Sequence, residues 1–219
     1  MSAELTYTDA GMNYGIDIAL CINRSIEMQK TIQNLADGIT DLPAMLAQQL
    51  YELSYEQTLH HLRVRVIAFG SSASGDEMIE SPFFDFADGG ADGLADFLRS
   101  IPLTHVRKSV DSITALNAAF ASPWMKDCFL HRRFIILLSD IEIDTENEAV
   151  AADAQSFAAS LNSPDGMRNR RTIIFTPEDV VADGWFDGMR STFRVPTQPH
   201  GGCRDVDLKT VVSILANSL

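Results

Sequence analysis

Four short, mostly apolar runs separated by segments of helical periodicity constrain this chain more than any other feature. Ile16-Asp17-Ile18-Ala19-Leu20-Cys21-Ile22 stops at the polar Asn23. Similar runs cover Leu62 to Phe69, where Arg63 and Arg65 alternate with Val64 and Val66, then Arg133 to Ser139, and Thr172 to Phe175. Continuous apolar runs of this length suit strands of a parallel sheet buried on both faces.

Between the first two runs the period lengthens from two to nearly four. Met28, Ile32, Leu35, Ile39, Leu42, Leu46, Leu50 and Leu53 advance by three or four residues and form one apolar stripe of a crossover helix. Pro43 interrupts the stripe, and a proline lacks the amide donor, so the helix is expected to kink or to restart behind Thr40-Asp41. Further helices are expected over Ala91 to Ile101, after Asp111 through Ile113, Leu116 and Phe120, and behind the capping-box pair Thr145 and Glu148. A last helix, through Leu208, Val211, Val212 and Leu215, is expected to start at an Asp205 cap. Ser81-Pro82-Phe83-Phe84-Asp85-Phe86 reads as a short strand that Pro82 confines to a sheet edge.

Strands alternating with helices predict a doubly wound α/β fold. We expect a mainly parallel sheet of about six strands, the edge one antiparallel, with helices on both faces. Residues 1–13 read as an N-terminal extension and residues 14–219 as a single domain, since no repeat, low-complexity tract or long linker divides them. The formal charge of −13 repels phosphate backbones and anionic lipid, which argues against nucleic acid or a membrane and for a protein partner. Cys21, Cys128 and Cys203 are widely spaced and form no Cys-x-x-Cys pair. With no secretion signal or long apolar span in the sequence, this points to a reducing, cytoplasmic setting.

In doubly wound sheets, ligands bind beyond the carboxyl ends of the strands. That rule selects Asn23-Arg24-Ser25-Ile26-Glu27 after the first run, the segment Lys108 to Thr114, and Ser139-Asp140. With these residues the chain resembles a von Willebrand factor A domain. In that family the first strand ends in Asp-x-Ser-x-Ser, a later loop supplies Thr or Asp, and a further strand ends in Asp, together holding magnesium or manganese at a metal-ion-dependent adhesion site. Here the first loop reads Asn23-x-Ser25-x-Glu27 and the last reads Ser139-Asp140. The resemblance runs from Tyr14 to Leu219. Leu62 to Phe69 and Ser81-Pro82-Phe83-Phe84 also resemble a bacterial branch found with kinase, phosphatase and stress or defence operons.

The resemblance implies binding and not catalysis. It also carries departures that bear on the metal. Asn23 removes a negative charge from the first position, and Glu27 puts a long carboxylate where a short hydroxyl would touch the ion. In the middle loop Asp111, Ser112 and Thr114 are all candidates, while Arg24, Arg107 and Lys108 would bring positive charge to the same rim. Two arrangements stay open. In one, no cofactor is bound and Glu27 pairs with Arg24, Arg107 or Lys108. In the other, Asn23, Ser25, Glu27 and Asp140 hold magnesium.

Other signals point less far. His60, His61, His105, His131 and His200 have no zinc-ligand spacing, and His60-His61 is expected at a helix end. The small-residue stretch from Gly70 to Gly75 lacks the Lys-Ser/Thr ending of a phosphate loop and precedes Asp76-Glu77, so it reads as a connection. Ser25 sits in no Gly-x-Ser-x-Gly elbow, and Asp140, Glu142 and Asp144 alternate faces, so both sets read as binding or solvated loops, with a hydrolase using the same loop cluster as the competing class. Trp124 is expected beneath the middle loop, and Trp185-Phe186 offers an aromatic pair for a partner.

Overall fold

The structure is a computed structural model. It describes residues 12–53, 57–105, 111–125, 131–140, 148–163, 170–177, 192–197, 203 and 206–218, and the side chains of most of these. Strand β1 (Met12–Asn23) lies at the centre of a seven-stranded sheet, with β2 (Gln57–Phe69) on one side and β5 (His131–Leu138) on the other, both parallel to it. Beyond β5 follow β6 (Arg170–Pro177) and β7 (Thr192–Thr197), also parallel. Two short strands, β3 (Ile79–Glu80) and β4 (Phe84–Asp85), pair antiparallel with β2. The expected fold class is the one observed.

Of the strand expected over Ser81 to Phe86 only Phe84–Asp85 forms, as β4; β3 lies just before that range, with Pro82 in the bend between the two. There the sheet needs no donor from a proline nitrogen. Strand β7 escapes sequence reading because Pro196 interrupts it and only Phe193 and Val195 are large and apolar. It lies at the open edge, where one side of a strand needs no apolar partner and Phe193 stays exposed. Strand β1 begins at Met12, two residues inside the stretch read as an extension. His60 and His61 belong to β2 and not to a helix end, because the helix stops at Glu52 and the chain has already turned back into the sheet.

The long apolar stripe divides at the proline. Helix α1 (Gln29–Gly38) passes through a single 3-10 turn at Ile39–Asp41 into α2 (Leu42–Glu52), where Pro43 occupies the first turn and costs no intrahelical bond. Helix α3 (Gly90–Ser100) follows Gly89, whose φ of 76° is the left-handed value a glycine adopts without strain. Helix α4 (Ser112–Phe120) follows Asp111, and α5 spans Glu148–Asn162. The last helix, α6 (Leu208–Asn217), is capped by Asp207, whose carboxylate accepts from the Thr210 amide at 2.9 Å; Asp205 lies outside the described residues, as does Thr145.

Two apolar layers cover the sheet. Ile16, Ile18, Leu20 and Ile22 of β1 pack with β2, β5 and β6 residues of the same parity against α1, α2, α3 and α6. Ala19 and Cys21 face the other way, with Ile67, Phe69, Ile135, Leu137 and Ile174, against α4 and α5. Alternate residues of one strand therefore enter different cores, which is why the runs are apolar throughout. A β1–β5 centre with chain leaving toward β2 on one side and toward β6 and β7 on the other makes the β1/β5 border a topological switch point.

Candidate functional site

The loops after β1 and β5 meet at that switch point. Asn23 ends β1 fully buried, and its side chain bridges two segments: Oδ1 accepts the Ser25 amide at 3.1 Å, while Nδ2 donates to Asp140 Oδ1 at 2.7 Å. An amide that must accept on one side and donate on the other has one sensible orientation, so this pattern fixes which atom is nitrogen. Ser25, also fully buried, donates from Oγ toward both oxygens of Asp140, at 3.0 and 3.1 Å. The backbone here is pinned from the far side, where Ile26 N donates to Thr104 O and Thr104 N donates to Arg24 O.

Asp140 is half-buried and its carboxylate is met by neutral donors. Burial, the largest influence, pushes its pKa above the usual carboxylate value; the Ser25 bond opposes this, and the negative charge of Glu27 adds to it. Behind it, Cys203 donates from Sγ to Ser139 O at 2.9 Å, and burial above all raises that thiol to about 12, so it stays protonated.

Of the expected site residues, the structure brings Asn23, Ser25 and Asp140 together. Glu27 is exposed on the short 3-10 turn Ile26–Met28, near enough for its charge to act on Asp140. Arg24 does not pair with Glu27. Its backbone is fixed by the Phe69 carbonyl and its buried guanidinium turns the opposite way, donating to Pro102 O and Glu77 O at 3.0 Å and lying 3.6 Å from Asp76. The positive charge expected on the rim is thus built into the wall behind it. Lys108 and Arg107 lie outside the described residues, as do Glu142, Asp144, Trp185 and Phe186.

The middle loop resolves into three different roles. Asp111 is spent on structure: its amide donates to Gly70 O and its carboxylate accepts from Ser72 N at 2.8 Å. Thr114 is exposed on α4. Ser112 is fully buried and its hydroxyl has no hydrogen-bond partner. The stretch from Gly70 to Gly75 is a connection, as expected, because its amides already serve carboxylates of the chain: Ser71 N donates to Asp76 and Ser72 N to Asp111. Trp124 is not beneath this loop. It follows the far end of α4, with its ring 5.7 Å from that of Phe83.

The metal ion of the adhesion site can be tested against this donor set. Magnesium needs a near-octahedral shell of oxygens that includes one or two carboxylates. The Asn23/Ser25/Asp140 triangle contains one carboxylate, and the group facing it across 2.7 Å is an amide N–H, which repels a cation. Among the described residues no three His, Cys, Asp or Glu side chains cluster to hold a metal. Taken by itself, the triangle supplies one carboxylate and, in this orientation, an N–H where an oxygen ligand would stand.

The fold is similar to that of von Willebrand factor A domains. The chain is similar to a von Willebrand factor type A protein from Catenulispora acidiphila, with a TM-score of 0.54 and 11% identity over 92% of this chain and 42% of that one. It is similar to the pilus adhesin SpaC from Lactobacillus rhamnosus GG, in its open conformation, with a TM-score of 0.53 and 11% identity over 93% of this chain and 30% of the adhesin. A third likeness is to proximal thread matrix protein 1 from the mussel byssus with a zinc-occupied adhesion-site motif: TM-score 0.54, 10% identity, 94% of this chain and 46% of that one. The chain therefore spans less than half the length of each. At these identities the likeness is one of fold. No family model and no curated protein matches the sequence.

Proposed function

We propose that this chain is a non-enzymatic protein-interaction module of the von Willebrand factor A type, an adaptor in a bacterial multi-protein stress or defence system, whose adhesion-site loops work without a metal. The observation that carries the reading is the bond from Asn23 Nδ2 to Asp140 Oδ1 at 2.7 Å. In the pattern the chain resembles, an aspartate stands at that position, and two facing carboxylates need a cation between them. The amide removes that need by donating directly to the surviving acid. What remains at the rim is a half-buried carboxylate with raised proton affinity, flanked by exposed Ile26 and Glu27, which suits a basic or hydrogen-bond-donating group of a partner protein. A non-catalytic role is supported by Ser25, whose hydroxyl donates to a carboxylate and not to an imidazole base.

One observation favours a second reading. The Glu27 charge acts on Asp140, so a second carboxylate is in range, and with Asn23 and Ser25 it could complete a magnesium shell. Crosslinking capture from host extract in excess chelator tests both. The adaptor reading expects the same partner with and without chelator, and its loss when Ser25 and Asp140 are both changed to alanine. Capture that disappears with chelator would favour the magnesium reading, and capture that survives the double alanine variant would move the interface elsewhere.

A further inference from the structure

Six residues before Asn23 along β1, roughly 20 Å away at the rise of a strand, a second polar row crosses the sheet. Arg63, Asp17, Arg133 and Arg170 stand in direct register on β2, β1, β5 and β6. They share the parity of Ala19 and Cys21 and so face the α4/α5 layer. Burying a guanidinium without an anion is costly, so the adjacent pair Arg133 and Arg170 in this covered row calls for an acceptor.

The described carboxylates near this row are already spent. Asp17, fully buried, accepts from Arg63 Nε and Nη2 at 2.8 and 2.6 Å and from the Met125 amide at 2.8 Å, with His131 Nε2 3.3 Å away. Glu80 accepts from Arg65 Nη2 at 2.5 Å, and Arg65 Nη1 donates to Ser122. Among the described residues Arg133 donates to the Met125 carbonyl, at 2.9 Å, and its Nε is buried with no acceptor. Arg170 is the clearest case. It is 6% exposed, its Nε and Nη1 are buried without any acceptor, and no carboxylate among the described residues pairs with it.

What holds Arg170 is aromatic. Its guanidinium carbon lies 4.0 Å from the Phe120 ring centre and 5.6 Å from that of Trp124. Stacking satisfies the face of the guanidinium and orients its plane, but it leaves the in-plane N–H donors unused. Burial and the neighbouring Arg133 pull the Arg170 pKa down to about 10, still charged at neutral pH. Arg133 and Arg170 stand on neighbouring strands in direct register, each with a buried in-plane N–H that lacks an acceptor, and stacking fixes the orientation of Arg170, so one tetrahedral anion could bridge them.

We propose that Arg133 and Arg170, backed by Phe120 and Trp124 at the amino-terminal side of the sheet, form a binding site for a phosphate group, separate from the Asn23/Ser25/Asp140 site. A phosphate carries roughly −1.5 to −2 charge at neutral pH, which suits two guanidinium groups that no described carboxylate pairs with. A monocarboxylate carries less.

Thermal melting of the full chain in phosphate, acetate or chloride at equal ionic strength tests the proposal, alongside calorimetric titration of inorganic phosphate into the unaltered protein. Phosphate is expected to raise Tm saturably by about 3 °C or more, with acetate and chloride equivalent. Arg170→Met, which keeps a long apolar side chain against Phe120 and Trp124, is expected to melt no lower than the parent in chloride and to lose the phosphate response. Glycerol phosphate in place of inorganic phosphate separates the sources: a larger shift marks a phosphomonoester, an equal one free phosphate, and either supports the site. No saturable heat or shift with either phosphate, or an equal response to acetate, overturns it. So does a variant that keeps the full phosphate response.

Discussion

Two carboxylates of one sheet, Asp17 buried within β1 and Asp140 half-buried just past β5, meet opposite surroundings. Asp17, in the middle of β1, is surrounded by cations. Burial pushes its proton affinity up, but His131, the Arg63 fork and the Met125 amide outweigh that and hold its pKa at about 2. Asp140, just past β5, is met by the Ser25 hydroxyl, its own backbone amide and the Asn23 amide, which lower its pKa less than burial, helped by the Glu27 charge, raises it. One carboxylate is an internal tie with no affinity left over. The other keeps unsatisfied affinity at a rim where the loops after β1 and β5 meet. A charged group that the fold stabilises poorly, placed where a ligand can reach it, is what a binding site requires.

The largest way to break the contrast is to delete each acid in turn. Asp17→Ala leaves Arg63 and the Met125 amide without their buried acceptor and is expected to cost about 3–5 kcal/mol, read as a lower urea midpoint. Asp140→Ala removes a group the fold holds less tightly and is expected to cost under about 1 kcal/mol.

Acid titration of stability sharpens the same point. The folded pKa of Asp17 lies below its unfolded value of 3.8, so its contribution is fully present above that value and is lost as pH falls toward about 2. The loss should amount to roughly 2 kcal/mol, visible as a steep acid limb in urea midpoints that Asp17→Asn flattens. Asp140 has the reverse sign. Its raised pKa means the protonated form is favoured in the fold, so its contribution is present at low pH and lost as pH rises through the folded value. The smallest expected effect follows: Asp140→Asn should raise stability at neutral pH by less than about 1 kcal/mol, seen as a small increase in Tm.

The fold was legible because its central strands are buried on both faces and so are apolar along their length, as in Ile16–Ile22 and Phe134–Leu138. β7 was not, since an edge strand with Pro196 has only half the packing demand that leaves a pattern. The rule that ligands lie past strand ends selected Asn23, Ser25 and Asp140, which the structure brings into contact. The rule does not specify direction. Arg24 lies in the same loop yet faces backward to Glu77 and Pro102, because alternate residues of an extended segment point to opposite sides. The arginine row went unread for a related reason: Arg63, Arg133 and Arg170 sit in three separate strands, and only the register between strands reveals that they share a row with Asp17.

The most direct measurement is calorimetric titration of magnesium and manganese into the unaltered chain and into a variant carrying Asn23→Asp and Glu27→Ser. If the amide at position 23 replaces the ion, the unaltered chain gives no saturable heat and the double variant binds. Micromolar binding by the unaltered chain, abolished by Asp140→Ala, would contradict it.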